Sequence, residues 1–348
     1  MFAFVFKRRF IALPQKTMKK SIVLILVLLV KTVSFAQSDS TGESKIFANL
    51  YSAFYTNISQ TETNSGFYMP TALLGYKHTF SHVSGTIIFD VTRTTNNIQV
   101  ADSLGNPMNV TYFEGSKYTA FLKMAEIKWN FATNWNFSFG QLLNEQYLTF
   151  QDKFWNHRYV EVTYQELNRF GMPADFGARL TYDNKVLKTS AGIFNGEGPF
   201  RYQDTNSDFL ISTNIEYRPT GQIILKAYGS LWQPKADTLY TQQTVSLFAG
   251  YKKHNTTVGM EYDLVKNARF TQETWQGISA FAFHDLTNKW QVFYRFDYTI
   301  KSAYENYGSY HIAGIQYKPD KSLYTSLNIR YRSTTNTWGI YCNFGLKM

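Results

Sequence analysis

From residue 45 to the end of the chain, apolar and polar residues alternate one for one in segment after segment. Successive side chains of a β-strand point to opposite faces, so a period of two describes strands with one apolar and one polar side. Val83, Ile87, Phe89 and Val91 share one face, with Ser84, Thr86 and Asp90 opposite. Trp290, Val292, Tyr294, Phe296 and Tyr298 stand against Gln291, Arg295 and Asp297. Leu323, Leu327, Ile329 and Tyr331 stand against Ser326, Asn328 and Arg330. The segments are ~10 residues long, the length of a strand that crosses a bilayer.

A soluble β-sandwich would also alternate, but two features argue for a barrel in a membrane. The apolar faces end in aromatic residues near the turns, as an interfacial girdle requires, and the chain is rich in such rings, with 25 Tyr, 29 Phe and 7 Trp. The alternation also runs to the last residues: Trp338, Ile340, Cys342, Phe344 and Leu346 share a face, which suits closure against the first strand.

Sixteen segments qualify as strands: 45–57, 67–80, 83–94, 117–131, 135–141, 175–183, 185–195, 208–217, 222–232, 240–251, 256–264, 275–284, 290–299, 307–317, 323–332 and 337–347. The second, fourth and twelfth alternate poorly, so fourteen strands is the competing count. The connections are short and long in turn. Ser81-His82 and Asn184 are short, whereas 95–116, 142–174, 196–207 and 265–274 are long. Short periplasmic turns and long outer loops give this asymmetry. The expected fold is therefore all-β: a transmembrane antiparallel β-barrel of about sixteen strands with a long third loop. The chain shows neither an internal repeat nor a second domain.

The first 36 residues read as a leader. Met18, the expected start, precedes Lys19 and Lys20, an apolar run from Ile22 to Val30, and small residues at Ser34 and Ala36. This is the layout of a cleaved signal peptide, and the run is shorter than the ~20 residues of a membrane span. Cleavage after Ala36 leaves a short segment, 37–44, before a barrel over 45–348. Seven of the 35 basic residues and none of the 25 acidic ones fall in 1–36, which leaves 28 against 25, a net charge of +3. The basic balance thus belongs to the leader and gives no support for nucleic-acid binding. Cys342 is the one cysteine, so no disulfide can form within the chain, and no lipid-bearing cysteine follows the leader.

The third loop, 142–174, is too aromatic for a tether. Tyr147, Phe150, Phe154, Trp155, Tyr159, Tyr164 and Phe170 must bury against something, and the barrel interior is nearest. Interleaved charges, Glu145, Asp152, Lys153, Arg158, Glu166 and Arg169, are the candidate residues of a pore constriction. The candidate lumen-facing cations are Lys123, Arg179, Lys188, Lys226, Arg295 and Arg330. Inward Asp90, Asp183, Glu216, Glu261, Asp263 and Asp297 nearly balance them.

Phe139-Gly140-Gln141, then this loop, then Arg169, Phe176-Gly177-Ala178-Arg179-Leu180 and Ala191-Gly192-Ile193-Phe194-Asn195-Gly196 together resemble the bacterial outer-membrane porin family that includes the phosphate-selective porins. The resemblance implies a sixteen-stranded barrel, a homotrimer, and a third loop folded inward as a constriction. It also implies passage of small hydrophilic solutes or ions, including anions such as phosphate. The near-neutral inner wall departs from the basic ladder of the phosphate-selective members.

The expected function is a diffusion porin of the Gram-negative outer membrane, in contact with lipid and lipopolysaccharide. Eight residues separate Gln37 from Lys45, too few for a plug domain ahead of the barrel. The alternative is a barrel with an adhesion, assembly or receptor role, which an interior filled with bulky side chains would favour. An enzyme needs a positioned nucleophile and base. His78, His82, His157, His254, His284 and His311 offer no such pairing in sequence, and neither a metal-ligand spacing nor a cofactor motif occurs.

Overall fold

The computed structural model describes residues 42–92, 96–101, 107–112, 119–146, 150–199, 209–234, 239–303 and 307–348. The expected leader, residues 37–41 and Tyr147 lie outside these, as do parts of the outer loops expected at 95–116 and 196–207. Three strands open the barrel: β1 (Glu43–Ile58), β2 (Thr63–Phe80) and β3 (Val83–Thr92). A separate two-stranded sheet of β4 (Asn96–Ala101) and β5 (Pro107–Tyr112) follows. The wall continues with β6 (Thr119–Ala132), β7 (Trp135–Leu143), β8 (Ala174–Asp183), β9 (Leu187–Phe194), β10 (Leu210–Tyr217) and β11 (Ile223–Trp232). It ends with β12 (Gln242–Lys253), β13 (Thr256–Lys266), β14 (Thr274–Asp285), β15 (Trp290–Lys301), β16 (Gly308–Tyr317), β17 (Leu323–Arg332) and β18 (Thr337–Lys347).

The sheet closes on itself. Strand follows strand antiparallel around the ring, and β18 returns to β1 in register from Asn49↔Lys347 to Ile58↔Trp338. Closure leaves no unpaired edge, which is what a sheet in hydrocarbon requires. All sixteen segments read from the alternation are barrel strands, so fourteen is excluded; their ends move by at most four residues. The β4–β5 hairpin is a correction to the reading of 95–116 as a long loop. Ile98 and Val100 alternate over only six residues there, too few to stand out.

The two faces separate by chemistry. Outward are Ile87, Phe89, Ile215, Leu247, Met260, Leu327 and Ile340, all exposed. Rings such as Trp135 with Tyr182, and Trp290 with Tyr317, pack outside near the short turns. Those turns are tight, and Asn134 and His254 take left-handed backbone in them, at φ 65° and 51°. No helix of the described residues is long and apolar enough to cross a membrane; the crossing elements are strands. Both ends of the β1–β18 seam nearest the chain termini lie with the short turns. This is called the turn end below, and the opposite rim the loop end.

Candidate functional site: the loop inside the barrel

The wall of a sixteen-strand barrel is wide enough to enclose an aqueous channel. Here the lumen holds the described part of the segment between β7 and β8, residues 144–146 and 150–173. It carries two short helices, α1 (Phe150–Trp155) and α2 (Tyr164–Leu167). It enters from the loop end, and Lys153, Phe154 and Asn156 reach Lys252, His254 and Lys318 beside the short turns. The segment therefore traverses the lumen. Trp155, Tyr159 and Tyr164 are each 1% exposed, and Val160 and Phe170 are also buried.

The wall meets those rings with rings of its own. Trp155 packs edge-on against Phe281 at 5.2 Å between centroids, and Phe154 against Phe248 at 5.3 Å. Phe283, Phe293 and Tyr310 belong to the same cluster, with Tyr51, Ile224 and Ile312. Edge-to-face pairs of this kind add attraction beyond the buried area. The wall also yields space: a Cβ at Gly277 would collide with the Tyr164 hydroxyl, and one at Gly345 would stand 2.9 Å from Tyr159. The inward rings explain why 275–284 alternates poorly. Phe281 and Phe283 face the loop while Ala280 and Ala282 face out.

Polar side chains of the wall grip the loop's backbone. Arg295 donates to the Val162 carbonyl at 2.5 Å while its other nitrogens hold Asp297 at 2.7–3.1 Å. Arg330 donates to the Val160 carbonyl at 2.7 Å and to Glu161 at 2.9 Å. Lys226 donates to the carbonyls of Glu145 at 2.5 Å and Gln146 at 2.7 Å. Asn343 donates to the Tyr159 carbonyl at 3.2 Å, and the Tyr159 hydroxyl donates to Gln316 at 2.8 Å. The three cations are 4% exposed or less. Charge-assisted bonds are the stronger kind, and a buried cation left without them would be costly.

The six residues expected at the constriction are not one group. Asp152, Arg158 and Glu166 form a triad inside the loop itself: Arg158 reaches Asp152 at 3.0 Å and both oxygens of Glu166 at 2.5 and 2.7 Å. Glu145 lies against the wall, bonded to Lys188 at 2.7 Å and to Ser190, with Arg179 at 3.8 Å. Burial works to raise the Glu145 pKa, but Arg179 and Lys188 outweigh it and hold the group down at about 2. Burial likewise opposes ionisation of Glu166, and Arg158 overcomes it, so its pKa is lowered. Lys153 and Arg169 are exposed, at opposite ends of the lumen.

Of the six expected lumen-facing cations, Lys226, Arg295 and Arg330 hold the loop. Arg179 and Lys188 hold Glu145, and Lys123 pairs with Asp90 at 2.6 Å. Asn343, Gln316 and Gln291 are gripping or networked residues that the sequence did not single out. Their inward phase was legible, but nothing in sequence pairs them with a loop 130 or more positions away.

Two cavities flank the packed middle. One of about 830 Å³ opens among loop-end residues, including Arg169, Trp232, Arg269 and Trp275. One of about 140 Å³ lies at the turn end around Lys153, Lys252 and Lys318. Among the described residues, no group of three or more His, Cys, Asp or Glu could hold a metal ion. Of the histidines, His78 does find a serine, Ser44, at 2.7 Å. The pair sits on the exposed outer face beside Tyr76, away from the lumen.

A closed sixteen-strand antiparallel barrel with an apolar belt, a polar inner wall and a loop turned inward after its fifth strand defines a transmembrane barrel of the bacterial outer-membrane type. No protein-family model matches the sequence, and no curated protein matches it. Solved structures do. Salmonella typhi OmpF, in a complex with daunomycin, aligns at TM-score 0.63 and 10% identity over 88% of this chain and 97% of that one. The anion-selective porin from Comamonas acidovorans aligns at 0.57 and 8% over 88% and 100%. Vibrio cholerae OmpT in trimer form aligns at 0.59 and 10% over 89% and 100%. At such identities the likeness is one of fold: this chain has the barrel of outer-membrane porins.

Proposed function

We propose that the protein is a porin-type channel of the outer membrane, in which the third loop, held across the lumen, governs passive diffusion of small hydrophilic solutes or ions. One observation carries this reading. The inner wall is polar around most of its circumference, with Asp90, Ser138, Thr181, Asn214, Glu216 and Asn328 pointing in. Buried polar groups are costly to keep, and a barrel that served only as an anchor would be better filled with aliphatic side chains. The loop end is then the cell exterior and the turn end the periplasm. Anions such as phosphate are included in that cargo, with Arg169 and Lys153 exposed at the two ends of the path. Lipid and lipopolysaccharide surround the apolar belt, and a homotrimer is the expected assembly. The reading involves no catalytic step.

A second reading has one observation in its favour. The ring cluster around Trp155 and Tyr159 fills the middle of the lumen, as a barrel acting through its outer loops in adhesion, assembly or reception would allow. Single-channel recording on refolded residues 37–348 under a chloride gradient separates the two. Stable open steps with a reversal potential of anion sign, and block by added phosphate, are the expected result. A folded barrel that never conducts would replace the channel with the second reading.

A further inference from the structure

The loop-end cavity is nearly balanced in charge. The carboxylates of Glu145, Glu166, Asp175 and Glu197 line it, against the guanidiniums of Arg169, Arg179 and Arg269. These groups are engaged already. Lys188 and Arg179 hold Glu145, Arg158 holds Glu166, and Asp175 accepts from the backbone N–H groups of Gly196 and Gly198. Arg179 also donates to the Leu143 carbonyl at 3.0 Å. Arg169 and Glu197 have contacts of their own, and the Arg269 guanidinium lies 5.1 Å from the Trp275 ring centroid. Such a lining favours neither sign of charge.

Its uncharged groups are of two kinds. The first is a pair of rings. Trp232, at the end of β11, and Phe270 meet edge to face at 4.6 Å and stand half-buried on the wall. Arg269 and Phe270 are consecutive and both left-handed, at φ 54° and 63°. A side chain with a Cβ disfavours that region, and such residues persist where surrounding structure or function holds them. Trp232 in turn lies directly on Gly196, where a Cβ would collide with the indole.

The second kind is a row of hydroxyls, with an amide beside it. Ser212, Ser230 and Thr244 stand in register across β10, β11 and β12, and all three line the cavity. Ser212 and Ser230 also lie beside the Tyr228 hydroxyl. Gln242, the register partner of Trp232, accepts from the Arg269 backbone N–H at 2.9 Å through its Oε1. That bond fixes the amide's orientation and leaves its NH2 group as a donor.

We propose that this cavity binds a neutral carbohydrate, a mono- or disaccharide. A pyranose has an apolar C–H face and a rim of hydroxyls that each donate and accept. The C–H face packs on Trp232 and Phe270, and the rim meets Ser212, Ser230, Thr244 and the Gln242 amide. Ring walls with a few placed polar groups are the form of a small-molecule site, and about 830 Å³ is within its usual size. As cargo on its way into the lumen this rests on the channel reading; as binding it does not.

Calorimetric titration of the whole protein, extracted from outer membranes in the sugar-free detergent lauryldimethylamine oxide, tests the proposal with maltose, cellobiose, lactose and sucrose as probes. Saturable binding of at least one sugar is expected, with the same affinity in low and high salt. Acyclic sorbitol, which has the hydroxyls but no ring face, should bind about tenfold more weakly. Trp232→Leu should weaken the sugar about tenfold, and Ser230→Ala about fivefold; heat-dependent gel mobility reports that each variant is folded. Sorbitol binding as tightly as the sugar would overturn the ring platform, affinity lost in high salt would overturn the neutral ligand, and indifference to both variants would overturn the site. Absent binding of all these sugars in a barrel that conducts sinks this inference and leaves the channel; binding in a barrel that never conducts does the reverse.

Discussion

The inner loop behaves as two regions. Between Lys153 and Tyr164 its rings meet wall rings, and its carbonyls are taken by Arg295, Arg330 and Asn343. Between Gln165 and Pro173 the loop turns a left-handed arginine toward a cavity of about 830 Å³. The same chain is a packed core in one stretch and one side of an open site in the next. The difference lies in the wall. Opposite the first stretch stand Phe248, Phe281, Phe283 and Phe293, while opposite the second the facing strands intersperse Ser212, Ser230 and Thr244 with larger side chains such as Tyr228, Trp232 and Trp275. The small side chains among them leave room that an unbroken run of rings closes.

The contrast breaks first at Arg295. Arg295→Ala removes the donor to Val162 and leaves Asp297 buried beside Ser279 without a counter-ion. Breaking a buried pair costs about 3–5 kcal/mol. Hydrogen-exchange protection of amides in 153–164 should fall by roughly a hundredfold or more. Unchanged protection would mean that the rings alone hold the loop.

A smaller effect should come from acid at Glu145. Its pKa in place, about 2, lies below the ordinary 4.5, so the stabilisation is complete above 4.5 and is lost as pH falls through about 2. That difference corresponds to about 3 kcal/mol. Exchange at Gln146 and its neighbours should quicken between pH 4.5 and 2, and Glu145→Gln should abolish the pH dependence. A wild-type profile as flat as that of the variant would show that Lys188 and Arg179 are not what fixes this end.

The smallest effect belongs to the open region. Gly196 has φ 92° and lies under Trp232, so Gly196→Ala meets both a strained backbone and the indole. The cost is ~1–2 kcal/mol. It should shift the tryptophan emission while exchange in 153–164 stays as it was. A loss of protection there would join the two regions into one cooperative unit.

The strands were legible because a wall between lipid and a polar lumen imposes period two on every crossing. Even the poorly alternating 275–284 was readable in outline as a strand; the reason for its irregularity, that Phe281 and Phe283 face the loop, was not. That the third loop needed a surface to bury against was readable from its rings. Which charges face which was not. Arg158 was expected to line a pore but is neutralised by Asp152 and Glu166, partners six and eight residues away. The pairing depends on how α1 and α2 fold back on each other. The cavity was invisible because its wall is drawn from β11, the β13–β14 connection and the loop, and left-handed backbone at Arg269 carries no compositional mark.

The seam between β1 and β18 bears on how such a chain is built. Asn343 and Gly345, both on the final strand, supply the donor and the hollow that receive Tyr159. A segment made late is thus also half of the seat for a segment made long before it. If the ring shuts with the loop still outside, Asn343 faces the lumen with no carbonyl to bond. If the loop is already in place, shutting the ring and seating Tyr159 become a single event. Assembly that proceeds from the C-terminal strand would start from an unfinished socket, completed only when the rest of the wall arrives.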